Sequence, residues 1–182
     1  KIDNIFKPSK NKVLLDLGSG IGFWSLRFTM KCKKVIGVDF VDEMNQSLRI
    51  KARKLNIYNL ELFTCDIIDF KPKIRIDYVF LSGVLLYLTD KRALKLVRNI
   101  YNYTKDESEI LVRDATGVNG RHIINNKYSK DLKSNYSAIY RSRNEIIKLF
   151  EDNGFTLKSD DDMFENDSPL NKWDETRLRV YI

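Results

Sequence analysis

Residues 14–24 read LLDLGSGIGFW: an apolar run meets Asp16, and glycines then fall at 18, 20 and 22. Glycine admits positive φ and lets a ligand touch the main chain. At the carboxyl end of a first parallel strand, such a loop is where doubly wound sheets bind nucleotides. The spacing here is GxGxG. The dinucleotide fingerprint GxGxxG needs a glycine at position 23, which is Phe, and no GKS or GKT follows to make a P-loop. Two more carboxylates, Asp39 and Asp66, close later apolar runs. A second group follows the run that ends near residue 117. Arg113, Asp114 and Thr116 come first, then the single histidine, His122, and then Tyr136, Tyr140, Arg141 and Arg143. An imidazole with a reference pKa of ~6.5 suits proton transfer. Guanidinium forks suit phosphate or carboxylate.

The elements that must position these groups can be read from hydrophobic patterning. KVLLDL (12–17), KVIGVDF (34–40), LELFTCD (60–66), IDYVFLSG (76–83) and EILVRDATG (109–117) are continuous apolar runs. They predict strands buried on both faces, as in a parallel sheet. Helices are predicted between them over about 23–31, over 42–55 with Asp42 as a cap, and from Thr89 or Asp90. Met44, Leu48 and Leu55 share the apolar face of the second helix. Residues 118–140 show no strong period. Ser142 with Glu145 three residues on is a capping-box pattern opening a helix that ends at Gly154. FTLKS (155–159) and RLRVYI (177–182) predict a sixth and a seventh strand, with no helix between them and an acidic loop of Asp160, Asp161, Asp162, Glu165 and Asp167. Without a crossover helix the two are antiparallel neighbours.

The chain of 182 residues is 43% hydrophobic, enough for one domain with a substantial core. No apolar run approaches the roughly 20 residues of a membrane helix. The first residues, KIDNIFKPSKNK, hold no apolar signal-peptide core. These features predict a cytoplasmic protein. Cys32 and Cys65 form no CxxC pair, so neither a disulfide framework nor a zinc site is expected. The net charge of +7 admits an acidic partner, but it spreads along the whole chain rather than over one helix or tail.

The sequence resembles the class I S-adenosylmethionine-dependent methyltransferases. DLGSGIG (16–22) is similar to their first motif, Asp39 falls where the family places its ribose-binding acid, CDIIDF (65–70) holds the adenine-facing aspartate as Asp66, and DYVFLSGVLLYL (77–88) is similar to their fourth motif. The resemblance implies a doubly wound seven-stranded α/β sheet, mostly parallel with an antiparallel last strand, in the order 3-2-1-4-5-7-6. It implies S-adenosyl-L-methionine as cofactor and S-adenosylhomocysteine as product. The cofactor set it implies is Asp16, Gly18, Ser19, Gly20, Gly22, Asp39, Phe40, Met44, Asp66, Ile67 and Ser82. Asp39 suits the ribose because a carboxylate accepts two hydrogen bonds and so matches a vicinal diol. Asp16 either meets the methionine amino group or caps its turn. Phe40 either covers adenine or joins the core, and Trp24 is either core or a wall of the methionine pocket.

The fourth run lacks the Asn/Asp-Pro-Pro-Tyr/Phe segment of many DNA and protein-glutamine N-methyltransferases. It also lacks the Pro-Cys of the cytosine C5 enzymes. The stretch 118–143 carries six Lys/Arg and one acid. Residues 118–141 are read as a basic lid over a small-molecule or sugar acceptor, methylated at oxygen, anionic in character, by in-line displacement without metal. His122, Arg113 and Tyr140 are the catalytic candidates, and Asp114 and Arg141 the substrate-binding ones. His122 is a general base or a surface residue. Arg143 is a fork or a surface pair at a helix start. RNA or protein as acceptor, and a silent cofactor-binding module, remain the alternatives. Only about eleven residues precede the first strand, so little N-terminal cover over the cofactor is expected.

Overall fold

The computed structural model describes residues 1–130 and 133–182. In chain order the elements are α1 (Ile2–Ile5), β1 (Val13–Leu17), α2 (Phe23–Thr29), β2 (Lys34–Asp39), α3 (Asp42–Lys54), β3 (Leu60–Thr64) and β4 (Ile76–Ser82). A 3-10 turn (Leu85–Tyr87), α4 (Asp90–Tyr103), β5 (Thr104–Gly117), β6 (His122–Ser129), β7 (Ser134–Tyr140), α5 (Arg143–Glu151), β8 (Asp160–Asp162) and β9 (Thr176–Tyr181) follow. The main sheet runs β3-β2-β1-β4-β5-β9-β8. Its first five strands are mutually parallel, β9 is antiparallel to β5, and β8 is antiparallel to β9. With β6 and β7 set aside as a separate two-stranded sheet, this is the expected order.

Two apolar layers flank the sheet. Leu14, Phe80 and Leu111 lie with Phe28 of α2 and with Ile2 and Phe6 on one side. Leu15, Leu17, Val79, Leu81 and Val112 lie with Leu96 and Ile100 of α4 and Ile146 of α5 on the other. The N-terminal segment, for which no element was expected, is seated rather than loose. Phe6 meets Phe28 and Tyr78 edge-on at ring separations of 5.9 and 5.4 Å, and Asp3 takes both Arg27 and Lys31. Among the described residues no helix is long and apolar enough to cross a membrane.

Three expectations shift. FTLKS is not a strand: Phe155 turns its ring onto Tyr101 at 5.6 Å, and the sheet edge starts at Asp160 instead. The acidic stretch read as a loop can form that edge because cations neutralise it. Arg143 and Arg179 both hold Asp160, and Lys1 holds Asp161. The stretch 118–140, read as irregular, folds into the β6–β7 hairpin. Its positions 131 and 132 lie outside the described residues. The hairpin hides its period because it buries little: of its described side chains Ala138 is buried, and most of the others are exposed.

Local signals place the helix ends. Ser142 accepts from the Glu145 N–H while Glu145 accepts from the Ser142 N–H, so the capping box is formed. Thr89 caps α4. Gly22 starts α2 with φ of +79°, and a Cβ there would lie 2.2 Å from Leu48 Cδ1 of α3. Left-handed strain and overpacking act together at this position, so Gly22→Ala is expected to lower stability by about 2–4 kcal/mol. The shift of the urea midpoint measures it; a loss under about 1 kcal/mol would mean that α2 and α3 separate freely.

Candidate active site

The loop after β1 is built on backbone geometry that glycine permits. Gly18, Gly20 and Gly22 have φ of +80°, +52° and +79°. At Gly18 a Cβ would strike Val84 Cγ2 at 2.5 Å, whereas at Gly20 the nearest atom is Met44 Sδ at 3.9 Å. The loop is therefore packed at its base and open at its crest. Asp39 at the end of β2 ties that crest down: Oδ2 accepts from the Gly20 N–H at 2.8 Å and Oδ1 from the Val41 N–H at 3.0 Å. A carboxylate has about four acceptor positions, so both oxygens retain capacity for a ligand.

Asp16 lies beneath the loop, 2% exposed, and accepts from Ser25 Oγ at 2.5 Å. Burial pushes its pKa up to about 7, against the opposing pull of the Ser25 hydrogen bond. Ser19 Oγ is buried without a hydrogen-bond partner among the described residues. Phe40 is 76% exposed, so it is not core, and Met44 is also exposed. Trp24 instead stacks on Phe28 at 6.0 Å and tilts against Phe80, as a core residue does. Ile67 is half-buried against the α4 side of the core. Asp66 lies past the end of β3. Its Oδ1 accepts from the Ile68 N–H at 2.9 Å and its Oδ2 from Arg92 Nη2 at 2.5 Å. Arg92, which the sequence reading did not single out, thus shares this carboxylate.

The other half of the rim is formed by β4, β5 and the hairpin. Ser82 Oγ accepts from Arg113 Nη1 at 3.0 Å. Asp114, 1% exposed, points to the opposite face of the sheet. It accepts from the Leu85 N–H at 2.7 Å and the Ala115 N–H at 2.9 Å, holding the 3-10 turn against β5. Burial pushes its pKa up to about 6. Arg141, 4% exposed, donates to the Leu85 and Leu88 carbonyls and to Asp90. Arg121 also reaches Asp90, and with it Glu145, while Arg143 pairs with Asp160. Arg141 therefore sits in the chain's own scaffold, with donors turned to the turn after β4 rather than to open space.

His122 and Tyr140 are direct cross-strand partners, with ring centroids 5.7 Å apart. Tyr140 is bonded to Tyr136; burial and that bond raise its pKa, with smaller contributions from Tyr87 and Asp114. Tyr87 of the 3-10 turn, 61% exposed, is raised by burial and then by Asp114 and Tyr136. The structure thus gathers His122, Tyr140, Tyr136 and Tyr87 into one aromatic cluster at the carboxyl rim. Tyr87 is hidden in the sequence by the apolar run in which it sits. The spacing of Tyr136 and Tyr140 in a strand was the available signal, since residues four apart share a face. A groove of about 920 Å3 lies at the other end of the sheet, among Lys105, Glu109, Ile147 and Phe155, and holds none of these groups.

A glycine loop after β1, acids at the ends of β2 and β3, and a reversed final strand define the Rossmann-like methyltransferase fold. The 1,6-didemethyltoxoflavin-N1-methyltransferase of Burkholderia thailandensis, solved with 1,6-didemethyltoxoflavin and S-adenosylhomocysteine, superposes with a TM-score of 0.75 at 15% identity, over 99% of this chain and 72% of that one. The methyltransferase-domain family model matches residues 8–171, and the chain belongs to that family. Phosphoethanolamine N-methyltransferase 1 of Triticum aestivum is 31% identical over 110 residues, 57% of this chain. An uncharacterised RNA methyltransferase of Nanoarchaeum equitans is 30% identical over 100 residues, 54% of this chain. The chain spans 21% and 22% of the lengths of these two relatives.

Asp16 and Asp114 hold their protons more tightly folded than unfolded, where the reference is 3.8. The folded state therefore binds more protons between that reference and about 7, and stability falls as pH rises through this window. The melting temperature of the ligand-free protein is expected to drop between about pH 4 and pH 7, and Asp16→Asn is expected to flatten that slope. Thermal scans at four pH values check it; an unchanged slope in the variant would remove Asp16 as its source.

Proposed function

We propose that this chain is an S-adenosylmethionine-dependent methyltransferase acting on a small-molecule acceptor, which lodges between the β6–β7 hairpin and the carboxyl ends of β4 and β5. The observation that carries the reading is that both groups follow carboxyl ends of the parallel strands, the hairpin packing on the 3-10 turn that leaves β4. The glycine loop with Asp39 forms one group, and the hairpin with His122 and Tyr140 forms the other. S-adenosylmethionine supplies a methyl already activated on sulfonium and leaves as S-adenosylhomocysteine. The residues present fit it: the crest at Gly20 is open, Asp39 and Asp66 retain acceptor capacity, and Phe40 offers an exposed ring.

In this reading Asp39 holds the ribose diol, Asp66 the adenine amino group and Phe40 one face of the base. Asp16 faces the methionine ammonium through the loop. Gly18, Ser19, Gly20 and Gly22 supply close-approach backbone, with Met44, Ile67 and Ser82 around it. Orientation of the acceptor along the S–CH3 axis does much of the catalytic work. The accepting atom is read as oxygen, because His122 can take the proton that a hydroxyl must lose. Anion recognition by the hairpin does not rest on Arg121, Arg141 or Arg143, whose guanidinium groups are held by Asp90, Glu145 and Asp160. Arg141 is read as a positioning residue that sets the 3-10 turn under the hairpin.

Calorimetry with S-adenosylmethionine and S-adenosylhomocysteine tests the reading. Both ligands are expected to bind, and Asp39→Ala is expected to weaken each by about 10–100-fold through loss of charged hydrogen bonds. A folded protein that binds neither would overturn the assignment. With a hydroxyl acceptor in hand, His122→Ala is expected to lower kcat by about 100-fold or more, with S-adenosylhomocysteine affinity unchanged. Micromolar binding of generic RNA with a steep salt dependence would instead move the acceptor to nucleic acid.

A further inference from the structure

Arg113 is a half-buried cation that no acid pairs with among the described residues: Asp114, next in the chain, points to the opposite face of the sheet and is held by the Leu85 and Ala115 N–H groups. Among the described residues, the other arginines that line the rim each meet a carboxylate. Arg92 holds Asp66, Arg121 holds Asp90 and Glu145, and Arg141 holds Asp90. Arg113 forms no ion pair there. Its Nη1 donates to Ser82 Oγ at 3.0 Å, and its Nε is buried without an acceptor. An unpaired guanidinium drawn out of water is costly, and sites that keep one are completed by an anion.

The register says where that anion sits. Asp16 of β1 is opposite Phe80 of β4, which is opposite Leu111 of β5. Ser82 is opposite Arg113, two residues nearer the carboxyl ends. Side chains two apart in a strand share a face, so Asp16, Ser82 and Arg113 lie on one side of the sheet. Arg113 is two strands from Asp16, about 10 Å sideways at the usual strand spacing. Beside Ser82 the chain leaves room. Gly83 has φ of +67°, and a Cβ built on it would have no heavy atom within 4 Å. A buried acid under the glycine loop and a half-buried cation at the strand ends thus lie on one face of the sheet, on either side of the exit of β4.

A ligand carrying an ammonium and a carboxylate on one carbon matches this pair. We propose that Arg113 is the receptor for the carboxylate of the cofactor's amino-acid end, working opposite Asp16. The proposal rests on the methyltransferase reading above, and it gives Arg113 a binding role on the cofactor side rather than one on the acceptor. A carboxylate or phosphate of the acceptor is the other source of the same chemistry, and the test separates the two.

The experiment compares S-adenosylmethionine with decarboxylated S-adenosylmethionine, which keeps the amine and lacks the carboxylate. Both are titrated calorimetrically into the native protein, Arg113→Gln and Arg113→Lys, with circular dichroism melts as the check on folding. In the native protein the decarboxylated ligand is expected to bind about 10–100-fold more weakly, the range of a charged hydrogen-bonded pair. In Arg113→Gln, S-adenosylmethionine should fall to the affinity of the decarboxylated ligand, which itself moves less than about threefold; Arg113→Lys should recover part of the difference. If Arg113→Gln leaves S-adenosylmethionine affinity intact, the anion belongs to the acceptor and the proposal is overturned. Equal weakening of both ligands makes Arg113 a shape determinant only, and also overturns it. A folded native protein that binds neither ligand overturns the methyltransferase reading itself, a result distinct from the other two.

Discussion

The bond from the Gly20 N–H to the Asp39 carboxylate is the one on which the glycine-loop half of the rim depends. It links the crest of the loop after β1 to the end of β2, and it works only if the loop rises with left-handed φ at Gly18, Gly20 and Gly22. Packing enforces that rise. Val84 fills the space beside Gly18, and Leu48 of α3 fills the space beside Gly22. The loop's shape thus depends on side chains from the fourth strand's exit and from the second crossover helix. A polar contact of 2.8 Å is held by an apolar clamp beneath it.

The rim formed by β4, β5 and the hairpin is organised by charge rather than by glycine. Asp90 at the start of α4 gathers Arg121 and Arg141, and Arg141 also takes the Leu85 and Leu88 carbonyls. Asp114 supports the same turn from the other direction through the Leu85 N–H. The 3-10 turn is therefore gripped from both sides, and the hairpin that follows β5 is fastened to it. Such a network explains why a stretch rich in basic residues can sit at the rim without being an open basic surface. Its guanidinium groups complete the fold, and Arg113, on the opposite face of the sheet, is the one at the rim left unmatched among the described residues.

Much of the fold was legible in the chain. The five continuous apolar runs became the parallel strands, the Ser142–Glu145 pattern became a capping box, and Thr89 became a cap. Boundaries moved where side chains found tertiary partners. Phe155 left the strand pattern for Tyr101, and three aspartates became a sheet edge because Arg143, Arg179 and Lys1 stood across from them. The hairpin stayed hidden because so little of it is buried that it shows no apolar period.

By itself, the sequence determined the five parallel strands, the glycine loop and the acids at the strand ends, because these follow from local patterning and residue type; the strand order came with the family resemblance. Only the tertiary structure decided how the charged groups pair. In the chain Arg113, Arg141 and Arg143 stand as candidate forks, and Arg121 as one more basic residue before His122. Folding gave three of them carboxylates from distant segments and gave the fourth only a serine hydroxyl. Ion pairing depends on distances between segments far apart in the chain, and no local pattern encodes them. The grouping of His122, Tyr140, Tyr136 and Tyr87 was decided in the same way, by a hairpin register that sets His122 opposite Tyr140.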